Sequence, residues 1–333
     1  MDNKFIVSLS PHVHSHDSIE RNMHGVIIAL LPALFVSFLF FGVGAMIVCA
    51  TSVASCVLCE WFISRFLLHR DGKSVFDGSA ILTGILLGFN LPSNLPVWIV
   101  IIGAFVAIGI GKMTFGGLGC NIFNPALVGR AFLLVSFPVQ MTTWPLPGQL
   151  GWSGYVDAHT GATPLALIKM AAKTGDMSLL EQLPDAATLL IGDSATIGAG
   201  ALGEVCSLAL LTGLGFLLFR RIITWHIPVS ILLSMMLFSE AFHLVNPLYA
   251  DPLTSVLSGG AMLGAIFMAT DYVTSPMTPK GQLIYGVAIG FLTVIIRNFG
   301  AYPEGMSFAI LMMNAFTPLI NHYCKPHRFG QAG

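Results

Sequence analysis

The sequence predicts an all-α, polytopic membrane protein of about ten transmembrane helices, arranged as two inverted five-helix repeats. Three observations predict it. Apolar residues make up 55% of the 333-residue chain, charged residues only 9%, and mean hydropathy is +0.81. A soluble domain carries about 25% charged residues. Many apolar stretches are long enough to cross ~30 Å of hydrocarbon. Finally, one short span and one Gly-interrupted span occupy matching places in the two halves, a pattern of inverted repeats with a site at their junction.

In chain order, residues 1–23 are read as a cytoplasmic amino-terminal segment. Met1 to Asn22 is polar and His-rich, without a cleavable-signal pattern, so the first span is expected to stay in place. His12, His14 and His16 alternate there as in a solvated tail. The first repeat, 24–141, holds spans near 24–41, 43–64, 78–91, 97–113 and 124–140, the third being short. A long, mostly polar loop fills 142–202. The second repeat, 203–321, holds spans near 203–219, 226–244, 254–271, 282–298 and 304–321. Gly259-Gly260 interrupts the eighth span. Residues 322–333 form a cytoplasmic tail. Ala29-Leu30-Leu31 and Ala209-Leu210-Leu211 echo each other in the first and sixth spans. Pro125, Ala131 and Leu133 recur as Pro303, Ala309 and Leu311 in the fifth and tenth.

Lys and Arg give the orientation. With the amino terminus inside, Lys4, Arg21, Arg65, Arg70, Lys73, Lys112, Arg220, Arg221, Lys280, Lys325 and Arg328 are cytoplasmic. Only Lys169, Lys173 and Arg297 are outside, and Arg130 falls within a span. The long loop is then extracytoplasmic. It sets two lysines against Asp157, Asp176, Glu181, Asp185 and Asp193, a net of −3. Trp144, Trp152 and Tyr155 suit the membrane interface, and Pro164 to Lys173 reads as a short helix lying on the bilayer. The whole chain, at net −1, gives no argument for nucleic acid.

Structureless loops beyond ~12–15 residues are uncommon and usually functional. This one contains Thr160-Gly161-Ala162-Thr163, hydroxyls flanked by small residues and read as exposed targets for a modifying enzyme. The plainer reading is an ordinary surface turn. Elsewhere, Gly116 to Gly119 lacks the strand that a dinucleotide fingerprint needs, and is read as a turn where backbones pack closely. Asn121 and Asn124 are amides near buried helix ends, able to satisfy free backbone groups. Cys56 and Cys59 share a helix face. No second pair completes an iron–sulfur ligand set, so small buried interface residues are expected, with no disulfide or metal. Glu60, Lys112, Arg130, Glu204, Glu240, Asp271, Arg297 and Glu304 lie in or beside spans. There, ion pairs or wet paths are the alternatives.

Further motifs run along nearly the whole chain. They are Ser10-Pro11-His12, Asp77-Gly78-Ser79-Ala80 with Thr83-Gly84, Gly116 through Ala126, and Gly129-Arg130-Ala131-Phe132. Gly203-Glu204, Met268-Ala269-Thr270-Asp271 and Tyr302-Pro303-Glu304-Gly305 complete the set. In this order they resemble the D-type membrane subunits of Rnf electron-transport complexes. They are similar also to the B-type membrane subunits of sodium-pumping NADH–quinone reductases. The short leader before Ser-Pro-His favours the Rnf type. The resemblance implies FMN joined by a phosphoester to Thr163, with Asp157 upstream and a separate flavin transferase as the catalyst. His159 stands where the family has a smaller or apolar residue. The resemblance also implies a noncovalent riboflavin, whose ring edge Asn121 and Asn124 would contact. Implied partners are the bilayer and the other complex subunits, among them a second flavin-bearing subunit and iron–sulfur subunits. The implied activity is electron relay between ferredoxin and NAD+, coupled to Na+ or H+ movement. No activity is complete in this chain alone. The rival expectation is a passive channel or secondary transporter, which would carry no flavin.

Overall fold

The computed structural model describes residues 18–69, 77–151, 155, 158–192 and 200–325. Ser10-Pro11-His12, His14, His16, Lys4, Arg70, Lys73, Trp152, Asp157, Asp193 and Arg328 lie outside the described residues. The chain is mostly helical. Helix α1 (Ile19–Phe62) is capped by Ser18, whose side chain accepts from the Arg21 N–H (3.1 Å), and ends in a π turn, Ile63–Leu67. Next come α2 (Ser79–Phe89) and α3 (Val97–Phe105), the latter extended by a π turn, Val106–Ile110. Then α4 (Pro125–Ser136) and the short α5 (Pro138–Met141) follow, because Pro138 cannot continue the α4 ladder.

The segment read as a long loop is built, not structureless. It contains β1 (Trp144–Pro145), β2 (Thr160–Gly161), α6 (Pro164–Thr174), a 3-10 turn at Met177–Gln182 and α7 (Ala186–Ile191). The two strands pair antiparallel, a small departure from an all-α chain. The short helix expected at Pro164 to Lys173 is present as α6. Trp144 is buried beside Ala201.

After it come α8 (Ser207–Phe219), α9 (His226–Val245), α10 (Pro252–Leu257), α11 (Ala261–Leu263) with a π turn Gly264–Met268, α12 (Pro279–Phe299) and α13 (Met306–Tyr323). Gly259 and Gly260, at φ 67° and 64°, separate α10 from α11. This is the break expected in the eighth span, and only glycine adopts two such residues cheaply. Gly116, Gly117 and Gly119 also have positive φ, but a Cβ on Gly119 would meet nothing within 4 Å. At Gly119 the turn therefore needs the backbone conformation rather than close packing, while a Cβ on Gly116 would meet Cys120 at 3.6 Å.

Among the described residues, four helical stretches are long and apolar enough to cross a membrane: Ile19–Leu67, Val97–Phe115, His226–Val245 and Pro279–Phe299. The first folds back on itself. Gly42 has non-helical torsions (φ 53°, ψ −129°). His24 and Ile27 approach Gly78, while Glu60 reaches Ser79 through Lys112. Both ends of α1 therefore sit at one end of the bundle, and the chain reverses at Gly42. The backbone groups freed there are satisfied by the loop: Gly148 N–H donates to Phe40 O (2.8 Å) and Val43 N–H to Leu150 O (3.3 Å). Such repair is what makes broken helices tolerable in an apolar medium.

The two halves share one continuous apolar core. Helix α12 packs tightly on α9, where Gly286 and Gly290 face Ser230 and Ser234, a small-residue seam that lets the backbones approach. Helices α4 and α13 run antiparallel: Arg130 meets Glu304 and Ser307, and Asn124 N–H meets Asn314, its amide turned so that the oxygen accepts (3.1 Å).

Candidate functional site

Thr163 sits at the end of the bundle where α1 reverses. The segment before it is held by the ladder Trp144↔Gly161 and Pro145↔Thr160. Gln149 clamps the next residue, accepting from His159 N–H (2.8 Å) and donating to His159 O (2.7 Å). These bonds use the His159 backbone, and its side chain is exposed. The unusual residue type there is thus accommodated. Thr163 then caps α6: its Oγ1 accepts from Ala166 N–H (3.2 Å), and Pro164 follows at the first helical position, where a missing N–H costs nothing. Leu165, Ile168 and Ala171 bury one face of α6. Lys169 donates to Gly300 O (2.5 Å), and partial burial with Lys173 nearby holds its pKa below the ordinary lysine value.

Thr160 and Ala162 are exposed, whereas Thr163 is only 4% exposed. The open hydroxyl expected at Thr163 is therefore corrected: helix capping turns it inward. It lines a cavity of about 210 Å³ with Arg130, Trp144, Tyr302 and Glu304. Arg130 is buried and donates to Asn90 Oδ1 (2.6 Å), Ser307 Oγ (2.8 Å) and Glu304 Oε2. Behind it, Glu204 accepts from Ala201 N–H (3.4 Å) beside Gly260. Arg297 donates to the carbonyls of Ser255, Ser258 (2.9 Å) and Gly259 (3.0 Å), satisfying the free end of α10. One oxygen each of Glu204 and Glu304 has no hydrogen-bond partner among the described residues.

A second polar group occupies the opposite end. Lys112 Nζ bonds Glu60 Oε2 and Ser79 Oγ, each at 2.6 Å, and both charges are almost fully buried. Lys112, Asn121, Asn124 and Asp271 line a cavity of about 80 Å³. Asn124 caps α4, accepting from Ala126 N–H (3.1 Å) and Leu127 N–H (3.4 Å), and donates to Met268 O (3.2 Å). Asn121 donates to Phe123 O (3.0 Å) and shares the cavity wall with Asp271. The end-capping role is thus realised for Asn124. Cys56 is buried and Cys59 half-buried, in keeping with small interface residues. Glu240 is exposed on α9 and joins neither group.

The sequence motifs fall into this geometry. Asp77 with Ser79, Asn121 with Asn124, and Asp271 collect at one end; Arg130, Glu204 and Glu304 collect at the other. A family model described as the NQR2, RnfD, RnfE family matches residues 6–330. The chain belongs to that family. Among its relatives is the D component of the Na(+)-translocating ferredoxin:NAD(+) oxidoreductase complex of Acetobacterium woodii. It is 45% identical, over 97% of this chain and 95% of the relative. The D component of the proton-translocating ferredoxin:NAD(+) oxidoreductase complex of Clostridium ljungdahlii is 41% identical, over 98% and 97%. The D component of the ion-translocating oxidoreductase complex of Aliivibrio salmonicida is 38% identical over 98% of each chain. The Rnf type expected from the short leader is the type these relatives carry. Asn90, Ser307 and Gln149, which help build the Thr163 site of this family member, carried no sequence signal; Asn90 and Ser307 reach Arg130 across 40 and 177 positions.

Proposed function

We propose that this chain is the D-type membrane component of a ferredoxin:NAD+ oxidoreductase complex. It relays electrons through FMN esterified to Thr163 and takes part in coupling electron flow to Na+ or H+ translocation. The observation that carries the reading is Thr163 itself. In a chain 45% identical to a named D component of such a complex, the hydroxyl lines a cavity with a buried arginine. That surrounding fits a phosphate. Thr163 would hold the FMN, and Arg130, Trp144 and Tyr302 would surround it. FMN, when bound, supplies reversible electron transfer; the protein supplies position and an environment that sets its potential.

The same reading takes the chain as about ten crossings in two inverted halves. The reversal at Gly42 and the antiparallel α4 and α13 support it. The domain bounds 1–23, 24–141, 142–202, 203–321 and 322–333 follow from it. Both termini are cytoplasmic and the flavin-bearing segment extracytoplasmic, on the lysine and arginine bias. Partners are the other complex subunits, including a second flavin-bearing subunit and iron–sulfur subunits, and a flavin transferase for maturation. Because Thr163 is buried, the transferase must act before α6 docks or during its local opening. A noncovalent flavin at Asn121 and Asn124 is the remaining part. Its cavity of about 80 Å³ must widen to admit a tricyclic ring, with Asn121 the freer contact. The double Ala variant should then lose the dissociable flavin and keep the covalent one; unchanged acid-extractable flavin sinks this part.

The experiment for the main reading is flavin fluorescence on a denaturing gel, from a transferase-positive host. Thr163→Val keeps the shape, removes the hydroxyl and should give a dark band. Thr163→Ser should retain part of the signal, and Thr160→Val most of it. A bright Thr163→Val band would falsify the assignment. A wild-type band without flavin favours the channel or transporter reading.

A further inference from the structure

The Thr163 cavity contains more than the esterified hydroxyl requires. Three features converge on it. Helix α6 starts there, and a helix start favours negative charge; Pro164 has no N–H and the Ala166 N–H is held by Thr163 Oγ1, so the Leu165 N–H is the donor its first turn can offer. Arg130, 4% exposed, lines the same cavity. Its Nη1 is engaged by Asn90 and Ser307 and one Nη2 hydrogen by Glu304, which leaves Nε–H and the second Nη2 hydrogen without a bond among the described residues. Glu304 is 7% exposed and its Oε1 has no partner among the described residues. A buried guanidinium with unused donors facing a cavity can hold a phosphate by charge-assisted hydrogen bonds.

We propose that this cavity is the seat of the Thr163 phosphodiester and that Arg130 is the residue that positions it. The proposal rests on the flavin reading above. Arg130 is anchored from behind by Asn90 on the loop after α2 and by Ser307 on α13. The seat therefore joins the two halves of the bundle, and the flavin is fixed to both rather than swinging on the loop alone. The unpartnered Glu304 oxygen accepts from a ribityl hydroxyl.

The test uses the complex purified from a transferase-positive host, with arginine labelled by 15N in the guanidinium group. Mass spectrometry of the loop peptide comes first; a peptide without FMN overturns the flavin reading and the seat with it. Phosphorus–nitrogen dipolar dephasing is then measured by solid-state NMR on the phosphodiester resonance. The expected result is strong dephasing, as an N–H···O contact of about 2.8 Å requires. Arg130→Lys should abolish it while FMN stays on Thr163. If that variant does not accumulate, Glu304→Gln replaces it; removing the competing charge should leave dephasing at least as strong. FMN on the peptide with no dephasing in the unsubstituted protein overturns the proposal alone. So does dephasing that survives Arg130→Lys, which would point to another arginine, or dephasing lost in Glu304→Gln.

Discussion

Lys112 and Glu60 are a buried pair joined at 2.6 Å, and their energetics decide what a single substitution does there. Desolvating two charges is costly, and their attraction offsets that cost only while both are present. Lys112→Met therefore leaves Glu60 buried without its counter-charge and should lower stability by about 3–5 kcal/mol. Adding Glu60→Leu should recover most of the loss. Denaturation of the purified protein in detergent checks this, and a double variant no better than the single contradicts the pair as drawn. Thr163 obeys a different rule. As a helix cap, its change to Val should cost about 1 kcal/mol, small against the roughly 5–15 kcal/mol of a folded domain. Loss of flavin in that variant would thus report chemistry and not unfolding.

At the scale of elements, the hinge between α10 and α11 controls how α6 sits. A Cβ on Gly259 would run into Leu165, the buried anchor of α6, in addition to straining a positive φ. Gly259→Ala should loosen α6 and lower stability by about 1 kcal/mol or more. Flavin fluorescence anisotropy should fall with it; unchanged anisotropy and melting would show that α6 does not lean on this hinge. This hinge was legible in the sequence, as was the reversal near residue 42, because each is local: a glycine interrupting a long apolar run. The ionisable residues were legible as candidates, since charges in apolar runs stand out. Their pairing was not. Arg130 finds Glu304 across 174 positions, and no periodicity encodes such a contact. Thr163 misled for the same reason: it turns inward as the cap of α6, a helix that Leu165 and Ile168 dock on the bundle. Asn124 shows the reverse case, a helix-end amide before Pro125 that behaves as local rules dictate.

Across the whole molecule, two buried polar groups stand apart within an apolar bundle. A six-residue step along α4, about 9 Å of helix, leads from Asn124 in one to Arg130 in the other. Orientation then decides which group faces the cytoplasm. A reporter active only inside the cell should work when fused after Arg328 and fail when fused near Asp176; the reverse would invert the topology and move the flavin to the other face. The central claim is that Thr163 carries the redox cofactor of this membrane protein. Its most direct measurement is fragmentation mass spectrometry of the peptide spanning Thr160 to Lys169, from protein made with its transferase. The expected result is one FMN phosphodiester on Thr163. An unmodified peptide, or FMN on Thr160, would contradict it.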